Sequence, residues 1–199
     1  MKKYDISIPK MMQIIIDTRE QLPLFQNWKG LNIVKKSLSY GDYSIVGFEN
    51  QISIERKTLA DFVACCGNQR DRFLKEIQRY KENGCKFCGL VIEATFQDIL
   101  YGHWLSNISV ITVMSVINHL EIDFNFHFFY DSNRKNIEYW ILTRFRRFYN
   151  NQRGENSFEL SGGSSPPNPQ EPKIRRVPGL TIKGFPPLRA TDMRNKRVK

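Results

Sequence analysis

The chain has 199 residues, 41% of them hydrophobic and 14 of them Phe, which suits one globular domain with a real core and argues against a disordered chain. Thirty Lys and Arg against twenty Asp and Glu give a formal charge of +10, as expected for a polyanion partner, although charge alone does not separate DNA, RNA and a membrane surface. No apolar run is long enough to span a bilayer and the N-terminus lacks the apolar core of a signal peptide, so a cytoplasmic protein with reduced thiols is expected.

Residues 1–9 read as a short polar lead. Residues 13–17 form an apolar run of strand length that ends on Asp17, the edge where α/β proteins place chemistry. Arg19 and Glu20 follow in the same turn and can hold each other or a site. Residues 21–31 carry Pro23 and Gly30 and read as a loop or a broken short helix. A second strand is expected over 33–38, then a hairpin over 43–47 and 52–57. Beyond Lys57 the period changes: a short helix from Leu59, then a longer one over 69–82 with Phe73, Leu74, Ile77 and Tyr80 on one stripe. Residues 87–93 form a buried strand ending on Glu93. Thr95 and Asp98 mark a capping box opening a short helix. Residues 109–120 form a core helix bearing Val110, Val113, Met114, Ile117 and Leu120. Residues 125–130 form an aromatic strand. A final helix over 133–149 bears Ile137, Trp140, Ile141, Arg144, Phe145 and Phe148. This order predicts an α/β domain with a mixed central sheet flanked by helices.

The composition shifts near Gly154, so the organisation reads as a body over 1–150 and a Gly/Ser/Pro-rich linker with a basic tail over 151–199. That tail carries ten Lys and Arg against four Asp and Glu. Disorder is its expected state. It can hold DNA through counterion release or act as a solubilising or partner-binding segment. Cys65, Cys66, Cys85 and Cys88 are better read as small buried residues than as a zinc site, because adjacent cysteines make poor zinc geometry. The three histidines are scattered without ligand spacing.

The stretch from Gly41 to Asp61 bears the chemistry. On a strand, side chains two apart share a face, so Glu55 and Lys57 point one way while Ile52, Ile54 and Arg56 point the other. A hairpin brings Asp42 back towards Glu55. Two carboxylates beside a lysine suit a hard divalent cation such as Mg²⁺, and the lysine can orient or deprotonate a water or offset charge on a phosphate. The plainer readings stay open at this point: Glu55 and Lys57 as a solvated face, and Thr58 with Asp61 as a capping box. Asp17 likewise reads either as a third acid near the site or as a cap on the turn at Thr18.

Gly41-Asp42, a variable spacer, Glu55-Arg56-Lys57, three residues and Asp61 resembles the signature of the XPF-family nuclease domain (xeroderma pigmentosum group F type). Residues 14–20 (Ile-Ile-Ile-Asp-Thr-Arg-Glu) are similar to the family's first strand and acidic turn, Arg70 to Glu76 to its arginine-rich helix, and Val91-Ile92-Glu93 to its next core strand. The match covers about residues 12–150. It implies a restriction-endonuclease-like core and a Mg²⁺-dependent DNA endonuclease, with Mn²⁺ as substitute. Asp42, Glu55 and Asp17 would hold the metal, Arg56 would lend its backbone carbonyl, Lys57 would position the water, and Asp61 would support the site. Arg72, or Arg70, would point to a DNA phosphate. Flap, fork or junction DNA in repair or recombination is the implied substrate, with a homodimer or partner subunit as a further association. A non-catalytic DNA-binding subunit is the alternative, and a sequence-specific restriction enzyme a weaker one. No tandem helix-hairpin-helix module or helicase fits this sequence, so it resembles a stand-alone nuclease domain of bacteria and their viruses.

Overall fold

The computed structural model describes residues 6–154; from residue 155 on, the expected linker and tail lie outside the described residues. Six strands form one sheet: β1 (Gln13–Ile16), β2 (Asn32–Lys35), β3 (Tyr43–Ile45), β4 (Ile52–Thr58), β5 (Phe87–Glu93) and β6 (Phe126–Tyr130). Around it pack α1 (Leu59–Cys66), α2 (Arg70–Glu82), α3 (Phe96–Leu100), α4 (Val110–Ile122) and α5 (Arg134–Gln152). The strand order is β2-β1-β3-β4-β5-β6. The sheet is mixed, as expected: β1 runs parallel to β2 and antiparallel to β3, and β3 antiparallel to β4. The strands β4, β5 and β6 are mutually parallel, joined by helical crossovers.

Those directions decide where chemistry gathers. With β3 reversed between them, β1 and β4 point the same way, and β5 follows β4. The C-terminal ends of β1, β4 and β5 therefore meet the N-terminal end of β3 at one edge of the sheet. Asp17, Glu55 to Lys57, Glu93 and Asp42 all lie at that edge.

The period-two reading of β4 is what the two cores require. Ile52 and Ile54 sit in the apolar layer under α5, with Ile14, Val91, Ile137, Trp140 and Phe145. On the other face Leu90 and Ile92 pack with Phe62, Phe73, Ile77, Val113 and Ile117 from α1, α2 and α4. Because β5 is covered on both faces, its interior is buried throughout, which is why its sequence is a continuous apolar run. The helix stripes are broader than periodicity marked: Val116 on α4, and Leu142, Tyr149 and Glu138 on α5, are also buried. All four cysteines are free and buried in the α1–α2–α4 layer. Thr58 caps α1 by accepting the Asp61 amide, and Thr95 with Asp98 forms the expected box on α3. Among the described residues no helix is long and apolar enough to cross a membrane.

Candidate active site

Gly41 fixes the approach to the site. Its φ is +66°, and a Cβ there would fall 2.3 Å from Ser53 Oγ and 2.4 Å from Tyr80 Oη. Only glycine meets both conditions without displacing the buried Ser53–Tyr80 hydrogen bond of 2.7 Å. Asp42 is then clamped to β4 twice. Its amide donates to the Ile54 carbonyl at 2.9 Å, and its Oδ2 accepts the Arg56 amide at 2.8 Å. The Asp42 carbonyl in turn accepts the Asp17 amide at 2.8 Å. Backbone hydrogen bonds thus lock three strands together around one carboxylate.

Glu55 lies beside it in charge as well as in sequence geometry. Burial, then the negative charge of Glu55, pushes the Asp42 carboxyl up to about 7, against the pull of the Arg56 amide. The Glu55 charge thus opposes ionisation of Asp42. Lys57 shares the Glu55 face, donating from Nζ to Oε1 at 2.7 Å and lying 5.5 Å from the centre of the Phe73 ring. Burial pulls its ammonium down, but Glu55 and Asp42 outweigh that and raise it. Lys57 is therefore charged at neutral pH and acts as a hydrogen-bond donor.

Arg56 points the opposite way, as the strand period demands. Its Nη2 and Nε donate to Glu20 at 2.7 and 2.9 Å, and Nη1 lies 3.1 Å from Glu93. Glu93 also receives Arg134 at 2.5 Å, while Arg134 caps the Leu22 carbonyl. This ladder ties the turn after β1 to β4, β5 and α5 behind the site.

Residues 16–143 match the ERCC4 domain. The chain belongs to the ERCC4 domain family. Two solved structures of XPF from Aeropyrum pernix resemble it: one in complex with DNA, with TM-score 0.53, 17% identity, 70% of this chain and 66% of that one covered. The other has TM-score 0.55 and 18% identity, covering 71% of this chain and 69% of that one. In the first the match spans just under two thirds of the XPF chain. No curated protein matches. The mixed sheet with flanking helices is the restriction-endonuclease-like core of XPF nuclease domains, as the sequence resemblance implied.

Within this ERCC4 domain the expected site residues divide. Asp42, Glu55 and Lys57 come together. Asp17 has other partners: its side chain is 1% exposed, and its oxygens accept from Arg19 and from the Leu38 amide. Accordingly, among the described residues no group of three or more His, Cys, Asp or Glu is arranged to hold a metal. Asp61 accepts the Thr58 hydroxyl at 2.7 Å in the helix cap. Arg70 and Arg72 stand exposed on the first turn of α2, where Arg72 donates to Gln69 at 3.1 Å. Sequence reasoning left open the roles of Arg19 and Glu20, and the structure separates them: Arg19 pairs with Asp17 and Glu20 with Arg56. Arg134 carried no local signal, since its partners lie 41 and 112 residues away.

Proposed function

We propose that this ERCC4 domain is a metal-dependent endonuclease that hydrolyses DNA phosphodiester bonds, acting on flap, fork or junction DNA in repair or recombination. The observation carrying this reading is the half-buried Asp42–Glu55 pair with the Lys57 ammonium beside it. Those residues fit a Mg²⁺ ion. The donors are hard oxygens, Asp42 keeps Oδ1 and Glu55 keeps Oε2 outside the hydrogen bonds above, and an ion that retains several waters needs few protein ligands. The Arg56 backbone carbonyl is a further candidate ligand. When bound, Mg²⁺ (or Mn²⁺) supplies polarisation of the phosphate and a lowered pKa for its water. Lys57 donates towards the attacking water or a phosphate oxygen and offsets the charge that builds as an ester P–O bond breaks. Arg56 acts through its amide, which orients Asp42, and through its ladder with Glu20 and Glu93. Asp61 supports the site by capping the helix that leaves it.

The test is incubation of the full chain with Mg²⁺ and labelled duplex, flap and fork DNA, beside Asp42→Asn and Lys57→Ala. The wild-type chain is expected to cut, and each variant to lose about 10²–10⁴-fold in rate. Equal cutting by all three proteins overturns the assignment. DNA binding without turnover by the wild type favours the non-catalytic subunit instead.

A further inference from the structure

The helix that leaves the acid pair forms one side of an apolar groove. The groove encloses a cavity of about 670 Å³, lined on one side by Leu59, Ala60, Val63 and Ala64 of α1 and on the other by Trp104 and Leu105 of the loop that leads into α4. Its size is that of a preformed site for an organic group. The loop is braced: the Trp104 indole N–H donates to the Ile108 carbonyl at 2.9 Å. The Ile108 side chain in turn seats against α1 at Gly67, where any Cβ would fall 2.2 Å from its Cδ1. Leu105 therefore stands fully exposed on a held support, with exposed Leu100 and Tyr101 just before the loop. Apolar side chains presented to water in this way mark a contact surface.

What meets the two ends of the groove decides its occupant. At one end Leu59 lies two residues beyond Lys57, where α1 leaves the acid pair. At the other Asn68 lines the groove, and α2 follows with Arg70 and Arg72, both exposed and in no ion pair among the described residues. The eight residues of α1 span about 12 Å at 1.5 Å each, more than one nucleotide of a stacked strand at about 3.4 Å each. An apolar trough with groups suited to phosphate at both ends fits a polymer that carries flat apolar faces along a negative backbone. Single-stranded nucleic acid is such a polymer. A docked protein helix would leave Arg70 and Arg72 unused, and a duplex keeps its bases stacked inside and offers the trough nothing.

We propose that the groove between α1 and residues 103–108 takes the unpaired bases of a single-stranded DNA arm, packed against Trp104 and Leu105, while Arg70 and Arg72 hold its phosphates. The inference rests on the reading of the Asp42–Glu55 pair as the nuclease site. It names the feature of the substrate which that site selects: an unpaired strand that begins beside the phosphate to be cut. Selection arises because only an unpaired base can turn its faces to the groove, and every base has such a face, so the preference is for structure and not for sequence.

The experiment titrates labelled oligothymidylate, fork and blunt duplex DNA, with Ca²⁺ in place of Mg²⁺, into the full chain, Leu105→Ala, Ala60→Gln and Trp104→Phe. Thermal melts report folding. Leu105 and Ala60 are exposed, so neither change enters the core, and glutamine obstructs the groove without adding charge. Each is expected to lower the ratio of single-strand to duplex affinity by about tenfold or more, the loss of one stacked base, with the salt slope kept. Arg70→Ala and Arg72→Ala should instead each lower the slope of log K against log[salt] by about 1. Oligothymidylate should quench tryptophan emission of the full chain, and Trp104→Phe should lose that quench although Trp28 and Trp140 remain. An affinity ratio unchanged in both Leu105→Ala and Ala60→Gln overturns the proposal, as does an equal loss on single strand and duplex. A dimer that either variant dissociates, seen by light scattering, assigns the groove to a second copy and overturns it too. If the full chain binds single strands through the groove but never cuts DNA, the nuclease reading fails and the base-binding groove stands. If it cuts fork and duplex alike and the variants match it, the groove fails and the nuclease reading stands.

Discussion

Asp42→Asn should make the protein more stable at pH 8 than the wild type, and the gain should shrink as the pH falls. In the folded chain burial and Glu55 push the Asp42 carboxyl up to about 7, from an ordinary 3.8. The folded state thus keeps a proton that the unfolded state has already released. Between those two values the folded state binds more protons, so this group's contribution to stability falls as pH rises through the window and is wholly lost above about 7. About two of the three pH units of that window lie between pH 5 and pH 7. At about 1.4 kcal/mol per unit, the wild type should lose roughly 2.5 kcal/mol relative to Asp42→Asn between pH 5 and pH 8. Asparagine can still accept the Arg56 amide, so the substitution removes the charge and keeps that hydrogen bond. Urea denaturation at the two pH values measures it. Mg²⁺ then provides the converse: an ion that binds only the folded wild type at a hundred times its Kd should restore about 2.7 kcal/mol, and little in Asp42→Asn. A difference between the two proteins that is the same at pH 5 and pH 8 would refute the reasoning. So would Mg²⁺ stabilising both alike.

Two further outcomes test the supports of the site. Gly41→Ala forces a Cβ into the left-handed region and against the Ser53 and Tyr80 hydroxyls, and should cost about 2–4 kcal/mol by chemical denaturation; a cost under about 1 kcal/mol would mean that the turn relaxes freely. Arg56→Ala leaves Glu20 without its cation and Glu93 with Arg134 alone, and should cost about 3–5 kcal/mol, with cleavage by the fraction still folded preserved within about tenfold. Unchanged stability with cleavage abolished would instead give the Arg56 side chain a direct part in the reaction.

What the sequence disclosed, and what it hid, follows from the range of the forces involved. Strands, helices and caps were legible because a period or a cap is written within a few residues: Ile52 and Ile54 against Ser53 and Glu55, Thr58 with Asp61, Thr95 with Asp98. Buried charge was not legible, because its partners are remote. Glu138 looks like a solvent position on α5, yet it accepts the Phe25 amide and the Trp28 indole N–H, both at 2.6 Å, from a loop more than 100 residues earlier. That clamp holds Phe25 at a φ of +68°, a conformation a bulky residue adopts only under constraint. Asp17 was legible only in part. Its position at the end of β1 was readable, but the donors that consume it, Arg19 and the Leu38 amide, come from a turn and a loop.

The motif itself shows how far a local rule can reach. Glu55, Arg56 and Lys57 are adjacent, so a pattern match treats them as one functional unit, yet the strand period sends Arg56 away from its neighbours. Its guanidinium must then be neutralised behind the sheet, and Glu20 and Glu93 are the groups that do it, with a side chain only 10% exposed. The same alternation that pairs Glu55 with Lys57 therefore demands an acidic partner layer on the opposite face. That layer stiffens β4 where its amide holds Asp42. The Glu55-Arg56-Lys57 run is thus best read as two half-sites, one facing the acid pair and one anchoring the backbone that presents it.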